Sequence, residues 1–284
     1  MTLIPIFDTH AHLNFEDFAE DFDSLLHRLE SGTFPGGVAP DELAGYEIEM
    51  TGIVNPAVDV DSSRNAIALA ERVEKIYPAV GIHPNYTHRV TENDWKTITE
   101  LARHGSVVAV GETGLDRHWD DAPFETQVDF LYRHFELARQ TQKPLLIHCR
   151  DAWDDLLPVI RNVKPENNNT CIGVIHAFSG TAEQALECIE LGWMTSFAGP
   201  LTYKNAKFSP LWEAAKQVPL DRLLIETDSP FLVPHPLRGK LKRNEPVLAA
   251  LVAQRLSALR NEPLETIAEA ASQNAQRVFG VNPC

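Results

Sequence analysis

Eight short apolar runs rich in β-branched residues punctuate this chain, and each ends in polar residues before a stretch with helical spacing. They are Leu3–Phe7, Ile48–Val54, Ile76–Ile82, Val107–Val110, Pro144–Ile147, Cys171–Ile175, Trp193–Phe197 and Arg222–Ile225. Amphipathic stretches lie between them, among them Ser63–Val73, Thr91–Arg103, Phe124–Gln140, Thr181–Glu190 and Leu211–Gln217; Glu245–Ser257 and Leu264–Phe279 follow the last run. Strand alternating with helix implies parallel strands joined by right-handed crossovers. Eight such units in 284 residues fit an α/β fold, a closed (β/α)8 TIM barrel forming a single domain over residues 1–284, better than two domains. An open doubly wound sheet is the competing arrangement, but no GxGxxG follows the first run. The one irregular stretch, Ser31–Gly45, carries Pro35, Gly36, Gly37, Pro40 and Gly45 and reads as an inserted surface loop, functional or merely solvated.

Forty acidic residues against twenty-five basic ones give a formal charge of −15, which argues against a general nucleic-acid coat or a protein spread on anionic membrane. The distribution is uneven. Twelve of the acidic residues and a single base, Arg28, fall in the first sixty positions, so the remainder is close to neutral. The densest basic run, Arg238, Lys240, Lys242 and Arg243, lies in a stretch containing Pro and Gly and, taken alone, reads as a solvated loop. No apolar run approaches the roughly 18 residues of a membrane span. Met1–Asp8 also lacks the basic start of a signal peptide, so a cytoplasmic protein is expected. Cys149, Cys171, Cys188 and Cys284 form no CxxC pair, so inert thiols are expected rather than a zinc knuckle or disulfide framework.

Polar residues with metal-ligating chemistry stand where several runs end, which is the catalytic face of a barrel. The first run is followed by His10-Ala11-His12, and side chains two apart on an extended chain point the same way. The fourth is followed by Gly111-Glu112-Thr113-Gly114-Leu115-Asp116, the fifth by His148, the sixth by His176, and the eighth by Glu226-Thr227-Asp228. Read singly, each histidine is more often a satisfied core or surface group, and Glu112 could equally sit in a salt bridge. Read together, four histidines and two carboxylates at the same end of their strands suit two divalent ions, with Glu112 as the bridge.

The motifs FDTHAHL, GIHP, GETGLD, PLLIHCRDA, GVIHAFSG, ETDSPFL and RGKLKRNEP, in that order over almost the whole chain, make the sequence resemble a TatD-family metal-dependent hydrolase of the amidohydrolase superfamily. The resemblance implies a barrel and a deoxyribonuclease, often of exonuclease type, cleaving DNA phosphodiester bonds by attack of a hydroxide bridging two divalent ions (Zn, Mn or Mg). It implies one ion held by His10, His12, Glu112 and Asp228, and the other by Glu112, His148 and His176. Two departures stand out: Arg117-His118-Trp119 replaces the aromatic residues often found after GLD, and Leu241 and Lys242 are additional in the RGK–RNEP stretch.

On this reading Asp228, with Glu112, is catalytic and takes a proton from the attacking water. His83 donates to a phosphate oxygen, and Asp116 orients a ligand histidine from behind. The loop after the eighth strand opens onto the same mouth, so Arg238, Lys240, Lys242 and Arg243 are candidates to receive phosphates. The expected partner is DNA or an oligonucleotide, taken as single-stranded ends, with no membrane and no obligate protein partner. The competing enzymatic reading is a two-metal hydrolase of a small ester, lactone, amide or phosphotriester. A silent scaffold would be expected to have lost a ligand, and none is missing.

Overall fold

In the computed structural model, which describes residues 1–37, 39–163 and 172–282, each apolar run becomes a strand. They are β1 (Thr2–Asp8), β2 (Tyr46–Pro56), β3 (Ile76–Val80), β4 (Ala109–Asp116), β5 (Leu145–Arg150), β6 (Gly173–Ile175), β7 (Trp193–Phe197) and β8 (Leu223–Ile225). Neighbours in sequence pair in parallel throughout. The ring closes just beyond β1 and β8: Thr9 N donates to Ile225 O at 3.1 Å, Asp228 N to His10 O at 2.8 Å and His12 N to Ser229 O at 2.8 Å. Cys171, with which the sixth run opens, Cys284, and residue 38 of the insertion lie outside the described residues. Cys149 and Cys188 are buried and free.

The helices are α1 (Phe22–Ser31), α2 (Val60–Arg72), α3 (Glu92–Leu101), α4 (Phe124–Thr141), α5 (Trp153–Ile160), α6 (Ala182–Glu190), α7 (Ser209–Gln217), α8 (Ala249–Arg260) and α9 (Leu264–Phe279). Asp59, Thr91 and Thr181 start α2, α3 and α6 with reciprocal capping boxes, each satisfying amide groups that the first turn leaves unpaired. Gly32 and Gly280 end α1 and α9 in the left-handed conformation.

Two apolar layers result. Ile6, Ile53, Val80, Val110, Ile147, Ile175, Phe197 and Ile225 belong to the cluster that packs the sheet against the helices. Phe7, Val54, Ala79, Ala109, Leu146, Val174, Met194 and Leu224, one from each strand, form a separate inner cluster with Ala275 and Phe279 of α9. A one-residue slip would exchange the two faces of a strand, and loss of one buried Leu-sized side chain costs about 2–5 kcal/mol. The inner layer therefore sets the register of every strand, and with it the height of whatever residue comes two places later.

Three features depart from expectation. β4 runs through GETGLD instead of ending before it, with all eight of its residues buried. Gly111 and Gly114 permit this: both have positive φ, and a Cβ on Gly114 would run into the His148 carbonyl oxygen of β5. The 31–45 insertion is not simply solvated, because Phe34 and Leu43 are buried in the main core cluster. Finally, α8 starts at Ala249, after a short 3-10 turn at Pro246–Leu248, rather than at Glu245.

Candidate metal centre

Strand periodicity builds the floor of the site. Two residues beyond Phe7, Leu146, Val174, Met194 and Leu224 of the inner layer come Thr9, His148, His176, Ser196 and Glu226, on the same face and one step nearer the mouth. Thr9 Oγ1 lies 2.9 Å from Ser196 Oγ and donates to Ile225 O at 3.0 Å. His10, His12 and Asp228 are set above this floor by the ring-closing hydrogen bonds. Asp228 holds φ 58°, a conformation uncommon for a residue with a side chain and maintained only where its surroundings fix it.

All six residues expected as ligands converge. Glu112 Oε2 lies 3.2 Å from His10 Nε2 and 3.5 Å from His12 Nε2, while Oε1 lies 2.8 Å from His176 Nε2 and 3.0 Å from His148 Nδ1. Asp228 Oδ1 is 3.7 Å from His10 Nε2 and 3.5 Å from His12 Nε2. The partners behind three of the rings fix their tautomers. His12 Nδ1 donates to Pro56 O at 3.2 Å, His148 Nε2 to Asp116 Oδ2 at 2.9 Å, and His176 Nδ1 to Glu226 Oε1 at 3.3 Å. In its neutral form each ring then turns a lone pair toward the centre, the form a bound cation selects. His148 Nδ1 and His176 Nε2 are only 3.3 Å apart and share the Glu112 oxygen, so a positive charge, proton or metal ion, is needed between them. A cation between them is what this donor set fits, and neutral imidazole with carboxylate is suited to Zn or Mn. His10, His12 and Glu112 form one group able to hold an ion, and Glu112 with His148 enters a second.

His83, which also falls within reach of Glu112 and His148, has a different chemistry. Its Nδ1 accepts from Asn85 N at 3.2 Å, so its Nε2 carries the proton, 3.6 Å from Glu112 Oε1. Burial pushes its pKa down to about 3, so it presents a neutral N–H. Burial opposes a charged Glu112, but His176, His10 and His83 outweigh it and hold the carboxyl well below the usual range. Burial likewise opposes a charged His176, and the Glu112 and Glu226 carboxylates overcome it, raising its pKa well above the usual histidine value. Asp116 is held down to about 2, burial notwithstanding, by its bond to His148.

Two carboxylates at the site were not singled out from sequence. Glu226, fully buried, accepts from Ala177 N at 2.6 Å as well as from His176. Asp8 accepts from His10 N, Thr227 N and Thr227 Oγ1 at 3.1, 2.9 and 2.5 Å, clasping the ends of β1 and β8; burial raises its pKa well above the carboxylate range. Their signal was present, since each directly follows an apolar run, but position alone does not separate a ligand from the group behind it.

The basic loop divides. Arg238, Lys240 and Lys242 are exposed, and the Arg238 guanidinium stacks 4.1 Å from the Tyr203 ring. Arg243 does not fit its expected phosphate-binding role: it pairs with Asp21 at 2.7 Å and Glu245 at 3.1 Å and lies over Phe18. Its charge is already met within the fold. A cleft of about 640 Å³ at the opposite end of the barrel, lined by Tyr77, Lys143, Arg277 and Phe279 among others, is remote from these groups.

Comparison with known proteins agrees with the geometry. The family described as TatD related DNase matches residues 7–280. YabD of Bacillus subtilis, described as an uncharacterized metal-dependent hydrolase, is 38% identical over 98% of this chain and 100% of its own length. TatD of Mycobacterium tuberculosis, similarly described, is 33% identical over 96% of this chain and 97% of its own. The crystal structure of YjjV, a TatD homologue from Escherichia coli K12, superposes with a TM-score of 0.84 at 30% identity, covering 98% of both chains. In sequence, fold and the chemistry of its strand ends, this chain belongs to the TatD-related family of metal-dependent hydrolases.

Proposed function

We propose that the protein is a deoxyribonuclease of exonuclease type that cleaves phosphodiester bonds in single-stranded DNA ends. The observation that carries this reading is Glu112, a buried carboxylate whose two oxygens face separate histidine pairs, as a bridge between two ions requires. His10, His12, Asp228 and Glu112 would hold one divalent ion, and Glu112, His148 and His176 the other. When bound, the ions supply a lowered water pKa and stabilise charge on the entering and leaving oxygens.

The chain's own groups do the rest. Asp228 Oδ1 faces His10 and His12, leaving its second oxygen to take the proton of the attacking water and return it to the leaving oxygen. The neutral His83 N–H donates to a phosphate oxygen. Asp116 and Glu226 hold His148 and His176 with their other nitrogens facing inward. Arg238, Lys240 and Lys242 offer exposed positive charge to the phosphates of a strand approaching the mouth, on a molecule whose overall charge of −15 disfavours long duplexes. The test is an assay panel of single-stranded DNA, a chromogenic phosphodiester and carboxylic esters, with added Mn or Zn and with chelator. Chelator-sensitive cleavage of the DNA and the diester is expected; esters turned over in preference to either overturn the reading.

A further inference from the structure

Three aromatic side chains among the described residues are exposed, and two of them stand at the mouth of the barrel. Tyr132 lies on the outer helix α4. Trp119, 51% exposed, follows β4, and Phe231, also 51% exposed, follows β8, on opposite sides of the candidate metal centre. Both rings are thus accessible to a molecule that occupies the mouth.

Both rings are tied to the centre. The Asp116 carboxylate that accepts from His148 Nε2 uses its other oxygen to accept from His118 N and Trp119 N, at 2.8 and 3.1 Å. The Trp119 backbone therefore stands at a fixed distance from His148. Its ring faces the guanidinium of Arg150, 5.6 Å from the ring centroid, and Arg150 lies two residues beyond His148 on the same face of β5. Across the mouth, Phe15 stacks on the His12 ring at 4.5 Å, and Phe231 meets both edge-on at 6.2 and 6.4 Å. Each platform thus links an aromatic face to a histidine of the centre, and the first adds a cation.

We propose that Trp119 with Arg150, and Phe231 with Phe15, are two stacking platforms for unpaired nucleobases, one on each side of the phosphodiester held at the centre. This rests on the phosphodiesterase reading above. Alternating π-faces and positive charge are what a single strand needs: bases stack regardless of sequence, and cations follow the backbone. A base-paired duplex would keep its bases stacked on one another and leave both rings uncovered. The platforms therefore select nucleotides that are already unpaired.

The experiment compares wild type, Trp119→Ala, Trp119→Phe and Phe231→Ala on a short single-stranded oligonucleotide and on versions with an abasic residue on one or the other side of the scissile bond. With intact bases each alanine variant should raise KM roughly 5- to 100-fold, the range of base–aromatic stacking, and Trp119→Phe should recover most of it. An abasic residue on one side should abolish the effect of Trp119→Ala, and on the other side that of Phe231→Ala. Equal losses on intact and abasic strands, or no loss on the intact one, overturn the platforms while leaving the hydrolase reading in place. Failure of wild type to cleave any phosphodiester removes both.

Discussion

Glu112 is paired with imidazoles alone among the described residues, which makes its neighbours, rather than a lysine or arginine, responsible for its charge. Asp228, at the edge of this group with its side chain 15% exposed, is the carboxylate best placed to exchange a proton with water. Asp228→Asn should lower kcat on the order of 100-fold or more, with metal content measured in parallel; turnover within a few-fold of wild type at full occupancy removes it from that role. A second residue-scale prediction concerns pH. His134, fully buried, accepts from Ile82 N at 3.0 Å and donates to Phe130 O at 2.6 Å, and burial lowers its pKa from 6.5 to about 4. The unfolded chain takes up this proton first, so the neutral form's contribution is complete above pH 6.5 and is lost as pH falls toward 4. The loss approaches about 3 kcal/mol by linkage. In His134→Gln, denaturant unfolding across that window should show a shallower decline in stability than wild type. The ligand residues were legible from sequence because metal chemistry demands particular side chains at strand ends. His134 was not, since a histidine in an amphipathic helix gives no sign that it caps a distant strand.

At the level of elements, the loop after β8 holds two kinds of cation, paired and exposed, that the sequence presents as one basic run. Arg243, Glu245, Arg28 and Asp21 form a connected ion-pair network, with Arg28 on both oxygens of Glu245 at 2.8 Å, binding the loop to the acidic N-terminal segment. Asn244 adds a bond from its side chain to Thr227 O at 2.9 Å. Arg243→Ala should therefore destabilise the fold by about 1–3 kcal/mol, the range for hydrogen bonds to charged partners, read as a lower denaturation midpoint. Lys240 and Lys242 stand outside the network. Their replacement by alanine should leave that midpoint near wild type and weaken oligonucleotide binding, flattening the log–log salt dependence by roughly 0.7 for each phosphate no longer neutralised. An unchanged salt slope would show that the loop cations face only solvent. Charge counting could not separate these residues, because Asp21, one of the carboxylates that meet Arg243, lies 222 positions away. The extent of β4 was hidden for a related reason: glycines that normally interrupt strands here allow close approach to β5.

The whole molecule converges on its candidate metal centre from five strands or strand ends, so ion binding is coupled to the integrity of the barrel. His10, His12 and Asp228 extend the seam where β1 meets β8, and Glu112, His148 and His176 bring in β4, β5 and β6. That convergence was legible in the eightfold alternation of strand and helix, since a closed ring is what brings the ends of the first and eighth strands together. The unfolded chain has no such site, and a ligand that binds only the native state stabilises it in proportion to the logarithm of one plus the ratio of its concentration to its dissociation constant. Metal at about a hundredfold excess over its dissociation constant should add about 2.7 kcal/mol per site, raising Tm by roughly 5–10 °C for a chain of this size, and chelator should reverse the gain. Elemental analysis after loading should approach two equivalents, because six ligands exceed one tetrahedral site. Glu112→Gln, which removes the shared anion and leaves every histidine in place, should lower occupancy at both positions and most of the thermal gain with it. A plateau at one equivalent in wild type, or full loading of Glu112→Gln, would show that the two histidine pairs do not share a bridged pair of ions.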